Sequence, residues 1–176
     1  MITIESANYF FALGALFLQI VSVALLVIFF LRKNSTFLQI ADSIGKHGLL
    51  IGFVVSAVAL GMTVYYSGVL GVTPCPLCYW QRIFLYPQVV LFLVALWKRD
   101  LSIADYSIAL SIIGGAIALY QHALQILPGS GLPCPASGSS CSQRILFEFG
   151  YMTYPLMAFS LFVFLIVVML IVRSKR

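Results

Sequence analysis

The residues able to do chemistry in this 176-residue chain are four cysteines: Cys75, Cys78, Cys134 and Cys141. Cys75-Pro76-Leu77-Cys78 is a C-x-x-C. A disulfide here closes so small a ring that it adds little stability through chain entropy, so the pair suits a redox couple better than a staple. Arg82 follows Cys78 by four residues, one turn along the same helical face. That charge and a positive helix N-terminus would both stabilise a Cys78 thiolate, the reactive form of the thiol. A static disulfide or half of a metal site is the competing reading. Cys134 and Cys141 bracket Pro135–Ser140 in a stretch rich in Gly, Pro and Ser. Such a stretch is expected to be a mobile loop, and an exposed disulfide on it is open to a partner's thiolate. A loop staple is the alternative. The spacings do not form a usual zinc signature, and no metal is expected. Four cysteines allow three pairings, of which local pairing is the simplest.

These cysteines must be positioned by membrane-spanning helices. The chain is 62% hydrophobic and 9% charged, with mean hydropathy +1.07. A soluble domain is about 45–50% apolar and about 25% charged. The composition excludes a soluble globular domain, a disordered chain and a nucleic-acid-binding module. Five apolar stretches are readable, at Tyr9–Leu31, Leu49–Val72, Tyr79–Trp97, Leu101–Leu127 and Phe149–Val172. Each is near the length of about 20 residues that crosses a bilayer as a helix. Helix is the only sensible conformation, because backbone polar groups in lipid must be paired within the segment. The first stretch lacks the basic flank and cleavage site of a signal peptide. The segment 34–48 reads as a connection, with Phe37, Leu38, Ile40, Ala41 and Ile44 on one face of a possible surface helix. Gly48 and Gly52 fit a small-xxx-small packing pattern.

With five spans the connections fall into two sets. One holds Arg32, Lys33, Lys46, Lys98, Arg99, Arg173, Lys175 and Arg176; the other holds Arg82 and Arg144. The positive-inside rule puts the first set in the cytoplasm. The N-terminus is then outside, the C-terminus inside, and all four cysteines fall in the two outside connections. That is the compartment where disulfides persist.

Two redox-suited pairs on one side of a membrane suggest an electron relay. Thiol–disulfide exchange moves electrons only between sulfurs, so the final acceptor must be a cofactor or another protein. The chain has no G-x-G-x-x-G, no P-loop and no C-x-x-C-H haem attachment. A helical bundle without a soluble domain points to a lipid-soluble acceptor, and a quinone meets that requirement.

At this point the chain resembles a known family. Pro74-Cys75-Pro76-Leu77-Cys78-Tyr79-Trp80-Gln81-Arg82 is similar to the C-x-L-C-x-x-x-R segment of the bacterial disulfide bond formation protein B (DsbB) family, in its shorter-loop branch. Tyr120-Gln121-His122 resembles that family's Tyr-Glu-His stretch, and a second outside cysteine pair follows. The pair order differs from the vitamin K epoxide reductase family, where the loop pair precedes the C-x-x-C. The resemblance implies an all-α integral membrane protein: a four-helix transmembrane bundle of DsbB type over residues 49–176, plus an additional N-terminal transmembrane helix within residues 1–33. It implies a thiol:quinone oxidoreductase of the bacterial inner membrane that supports disulfide bond formation and protein folding. A DsbA-like thioredoxin-fold partner would deliver electrons to Cys134–Cys141, with Cys134 forming the mixed disulfide. They would pass to Cys75–Cys78 and then to ubiquinone or menaquinone, and so to the respiratory chain. Cys78 would face the quinone and Arg82 would stabilise its charge. Three features depart from the family pattern: the fifth span, the short spacing between Cys134 and Cys141, and Gln81 where some members carry glutamate.

His122 lies near the outer end of the fourth span beside Gln121 and Gln125. Intramembrane polar residues tend to face the bundle and mark pathways, so His122 is a candidate for a quinone or proton role. A histidine bonded to a neighbouring helix is the alternative. Tyr79 and Trp80 read as interfacial belt aromatics. Glu148 carries no assigned role. Three other functions compete: a protein with structural disulfides only, an enzyme like vitamin K epoxide reductase, and a conduit carrying electrons outward. The last would need redox groups reaching the cytoplasm, where no cysteine lies.

Overall fold

The computed structural model describes residues 4–31, 35–127, 141 and 146–175. Cys134 and Arg144, with most of the loop between the last two spans, lie outside the described residues. Five helices follow in order: α1 (Ile4–Leu31), α2 (Ser35–Gly68), α3 (Pro76–Lys98), α4 (Ile103–Ile126) and α5 (Tyr154–Arg173). All five are long and apolar enough to cross a membrane. They alternate in direction, so the connections before α3 and α5 lie at one end, and those before α2 and α4 lie at the other.

The helix limits differ from the hydropathy reading where local chemistry intervenes. Segment 34–48 is helical from Ser35 and runs unbroken into α2. α3 begins at Pro76, before the apolar run, because proline is well placed in the first turn, where its missing N–H costs nothing. At the other end Arg99 adopts φ 54° and closes the helix. The fifth span starts at Tyr154, not Phe149. Phe149 and Gly150 take positive φ, and Phe147–Glu148 pairs antiparallel with Met152–Thr153 in a short hairpin. The Thr153 side chain then caps α5 by accepting from the Leu156 N–H, with Pro155 in the first turn.

α5 is the hub. About two-thirds of its apolar window is buried, against 17% for α1. Close approach to its neighbours depends on glycine. A methyl group at Gly52 would meet the Phe92 ring at 2.8 Å, and one at Gly114 would meet the Phe162 ring at 2.5 Å. Gly48 abuts Val172. The spacing of Gly48 and Gly52 therefore does serve helix packing. Polar side chains add directional contacts inside the bundle. Gln88 of α3, fully buried, accepts from Ser107 Oγ at 2.7 Å and donates to Ser111 Oγ at 3.2 Å. α1 docks through Tyr66 Oη donating to Asn8 Oδ1 at 2.6 Å and Gln19 Nε2 donating to Ser160 Oγ at 2.8 Å.

The two ends differ in charge. Asp42 pairs with Lys46 at 2.9 Å and with Lys175 at 2.6 Å, and Asp105 pairs with Arg173 at 3.0 Å. All lie at the end opposite the cysteines. The Asp42–Lys46 and Asp105–Arg173 pairs are largely exposed, so they contribute little stability.

Candidate redox site

The N-terminus of α3 builds the centre of the site. Cys75 is its N-cap in an extended conformation, and its carbonyl accepts from the N–H groups of Cys78 and Tyr79 at 3.0 and 3.2 Å. This first turn brings the two sulfurs to 3.1 Å, as thiols. A small movement closes the distance to the roughly 2.05 Å of a disulfide. Cys75 is buried and Cys78 half-buried. The hydrogen bond with the Cys78 sulfur, and then burial, push the Cys75 thiol well above its ordinary value. Cys75 is therefore the member of the pair that keeps its proton.

Gln121 of α4 bridges both sulfurs. Its Nε2 lies 3.0 Å from Cys75 Sγ and 3.3 Å from Cys78 Sγ, as donor to each. Its Oε1 accepts from Gln81 Nε2 at 2.6 Å. Both glutamines are buried. Sequence alone assigns neither residue a role. A signal was available: Gln81, Leu85, Gln88, Phe92 and Ala95 form the buried stripe of α3, and a glutamine on such a stripe must find a partner.

Arg82 sits one turn beyond Cys78. Its Nη2 donates to the Thr63 carbonyl of α2 at 3.2 Å, and its guanidinium lies 5.6 Å from the Tyr79 ring centroid. Tyr154 begins α5, stacks edge-on against Tyr66 with centroids 5.3 Å apart, and has a buried hydroxyl with no hydrogen-bond partner among the described residues. Sequence reading did not single out Tyr154, because its chain position looks like that of any interfacial tyrosine.

Cys141 reaches the same place from the other connection. It is fully buried and packs in one cluster with Cys75 and Leu124, flanked by Leu77, Cys78 and Tyr120. Its carbonyl lies 3.5 Å from Gln125 Nε2. One cysteine of the outer pair is thus placed against the C-x-x-C; Cys134 is outside the described residues. His122 is tied to the start of α5. Its Nδ1 meets Thr153 Oγ1 at 2.7 Å, which ties α4 to the cap of α5.

Residues 45–172 match the family described as Disulfide bond formation protein DsbB, which leaves α1 outside the match. A probable disulfide formation protein of Chlamydia muridarum is 42% identical over 127 residues, covering 72% of this chain and 92% of that protein. The SPbeta prophage-derived disulfide bond formation protein B of Bacillus subtilis is 35% identical over 133 residues, covering 74% and 90%. Disulfide bond formation protein C of the same organism is 31% identical over 129 residues, covering 73% and 94%. No solved structure matches. A C-x-x-C at the head of a membrane-length helix, a third cysteine in one buried cluster with it, and relatives matched along most of their length place this multi-pass membrane chain in the DsbB family of disulfide bond formation proteins.

Proposed function

We propose that the chain is a thiol:quinone oxidoreductase that reoxidises a DsbA-like thioredoxin-fold partner. The observation that carries this reading is the burial of Cys141 in one small cluster with Cys75 and Leu124 at the start of α3. In this reading the partner's thiols first reduce the Cys134–Cys141 disulfide, with Cys134 taking the mixed disulfide. The Cys141 thiolate then attacks Cys75 Sγ. The Cys75–Cys78 bond breaks, a Cys141–Cys75 bond forms, and the electron pair leaves on Cys78. Attack of the Cys134 thiolate on Cys141 restores the outer disulfide and releases Cys75, which takes up a proton. The net change is one disulfide lost at Cys75–Cys78 and one gained in the partner.

The residues around Cys78 fit a quinone. Arg82 offers a permanent positive charge one turn beyond Cys78, and the buried Tyr154 hydroxyl has no hydrogen-bond partner among the described residues. These are the groups that a carbonyl oxygen gaining electron density requires. A bound quinone supplies a two-electron, two-proton acceptor. Gln121, anchored by Gln81, holds both sulfurs toward one side of α3. His122 acts on this site through the α5 cap, as a positioning residue.

The concentration of described basic residues at the end opposite the cysteines supports an N-outside, C-inside orientation in the bacterial inner membrane, with residues 49–176 as the redox domain. Anaerobic mixing of purified protein, reduced thioredoxin-fold partner and quinone tests the function. Expected is one quinol formed per partner disulfide formed. Partner thiols that stay reduced while both cysteine pairs resist mild reductant would leave the disulfides purely structural. Labelling of reduced Cys134 only from the cytoplasmic side of intact cells would overturn the orientation and the function together.

A further inference from the structure

α1 lies outside the family match, yet its inward face meets the cysteine end of the bundle. Asn8, Phe11, Ala12 and Ala15 follow at the i, i+3, i+4, i+7 spacing of one helical face. Ala12 and Ala15 are buried with Met152 and Met157, and Tyr154 packs against the same cluster. The other two residues hold Tyr66 of α2. Asn8 Oδ1 accepts from the Tyr66 hydroxyl at 2.6 Å, and the Phe11 ring lies tilted against the Tyr66 ring with centroids 5.8 Å apart. Asn8 and Tyr66 are both buried. An asparagine inside a span is costly unless it is bonded, and here its bond fixes the hydroxyl end of a buried ring.

Tyr66 passes this constraint on. Its ring stands edge-on to the Tyr154 ring, centroids 5.3 Å apart. The Tyr154 hydroxyl is buried and has no hydrogen-bond partner among the described residues. No such bond at its own oxygen sets the angle of that ring, so packing sets it. α1 governs the packing both directly and through Tyr66. Tyr154 also lines the same apolar cavity as Thr63, whose carbonyl holds Arg82. The ring that α1 orients and the residue that anchors Arg82 thus face one space.

We infer that Asn8 is a positioning residue for the redox site: by holding Tyr66, it sets the direction of the Tyr154 hydroxyl. This rests on the reading above of Tyr154 and Arg82 as the groups that meet the quinone, and it gives the extra helix a part in that site. A bond that merely docks α1 would have no such reach. α1 offers one for comparison, from Gln19 Nε2 to Ser160 Oγ of α5 at 2.8 Å, which involves neither Tyr66 nor Tyr154.

The experiment uses the full chain in nanodiscs and two readouts. Fluorine NMR, with Tyr154 replaced by fluorotyrosine, reports the surroundings of that ring without any quinone. Quinone titration of the unlabelled chain, at fixed reduced partner, reports the site. The variants are Asn8→Leu, Asn8→Asp, which keeps an oxygen acceptor, Tyr66→Phe, which keeps the ring, and Ser160→Ala, which loosens α1 elsewhere. Asn8→Leu and Tyr66→Phe should each shift or broaden the fluorine resonance. Each should lower kcat/KM for quinone about fivefold, as expected for one lost hydrogen bond. The double variant should fall no further than either single one, because both remove the same contact. Asn8→Asp should recover the wild-type resonance and kinetics, and Ser160→Ala should keep them. If Asn8→Leu fails to fold, Tyr66→Phe carries the same test. An unmoved resonance and normal quinone kinetics in folded Asn8→Leu or Tyr66→Phe overturn the inference and leave the quinone reading intact. Equal effects in Ser160→Ala reduce the Asn8 bond to docking and overturn it as well. A wild type that reduces no quinone overturns the reading of the site, and the inference with it.

Discussion

Gln121 donates its side-chain N–H to Cys75 Sγ across 3.0 Å, which makes an uncharged amide the closest polar neighbour of the buried cysteine. The same amide is fixed from behind by Gln81. A sulfur that accepts from a neutral donor is oriented without gaining a permanent counter-charge. The permanent charge stays with Arg82, on the Cys78 side. The pair is thus polarised: a protonated, buried Cys75 faces Cys141, and Cys78 faces the cation.

Gln121→Leu should therefore slow oxidation of a small dithiol that acts directly on Cys75–Cys78. The substitution removes the donor to both sulfurs and leaves the Gln81 amide without a partner. A buried unsatisfied amide costs about 1–3 kcal/mol. A loss of about 1.4 kcal/mol at the transition state is tenfold in rate. Stopped-flow recording of dithiol oxidation, with circular dichroism to check folding, measures it. A wild-type rate in a folded Gln121→Leu protein would reduce the amide to packing.

The spans were readable because lipid leaves a chain no choice: about 20 apolar residues must form a helix. The chemistry was readable because Cys75, Cys78 and Arg82 lie within two helical turns. What hydropathy cannot supply is rotation of one helix against another. The bridge from Gln81 through Gln121 to the sulfurs depends on how α3 and α4 face each other, and so does the placement of Cys141. His122 illustrates the same gap, since its partner Thr153 lies on a hairpin that reads in sequence as more of the fifth span. The hairpin itself hinges on the positive φ values of Phe149 and Gly150, two residues within an otherwise apolar run.

Reduced protein should be alkylated at Cys78 before Cys75. Cys75 is 5% exposed, and its hydrogen bond to Cys78 and its burial raise its pKa. A raised pKa keeps the thiol protonated, and therefore unreactive, as pH climbs through the ordinary thiol range. Cys75 should become reactive only above that range, or once Cys78 has been replaced. Peptide mass spectrometry after brief iodoacetamide treatment at stepped pH follows the order. Cys75 labelled first at neutral pH would reverse the proposed roles of the two cysteines.

Cys134→Ser or Cys141→Ser should stop oxidation of the protein partner and spare oxidation of a small dithiol. Cys141 shares a small buried cluster with Cys75, so it is the expected exchange point between the pairs. In a Cys78→Ser, Cys134→Ser background neither alternative partner remains, and a mild oxidant, taking two electrons and two protons from the Cys75 and Cys141 thiols, should join them as a Cys75–Cys141 disulfide. Non-reducing peptide mapping detects it. Partner oxidation at the normal rate in either outer-loop variant would invalidate the relay order.

Gly114→Ala should destabilise the bundle, whereas Gly115→Ala should be tolerated. A methyl at Gly114 would come within 2.5 Å of Phe162 Cζ, on a ring only 1% exposed and unable to swing away. At Gly115 the nearest atom is 3.5 Å distant, an ordinary contact. Overpacking of this kind costs about 1–3 kcal/mol. Thermal unfolding of the two variants in detergent compares them directly. Equal melting temperatures would mean that α4 and α5 can separate slightly at no cost.

Arg82 offers the sharpest test of how the charge is used. It stands one turn beyond Cys78 and donates to the Thr63 carbonyl of α2. Near a membrane edge the local dielectric is below that of water, so its charge counts for more than in a surface pair. Arg82→Gln should raise the apparent KM for quinone, lower the turnover, or both. A loss of about 1.4 kcal/mol is tenfold in kcat/KM. Arg82→Lys should rescue only part of this loss. A lysine ammonium is a compact point charge without the planar fork, so it cannot hold the Thr63 carbonyl and face the site together. Exchange between the partner and Cys134–Cys141 should be nearly unaffected, because that step takes place before Cys78 is reached. Quinone titrations at fixed partner concentration separate the two effects. Wild-type quinone kinetics in Arg82→Gln would make the arginine a headgroup anchor and shift the burden of recognition to Tyr154.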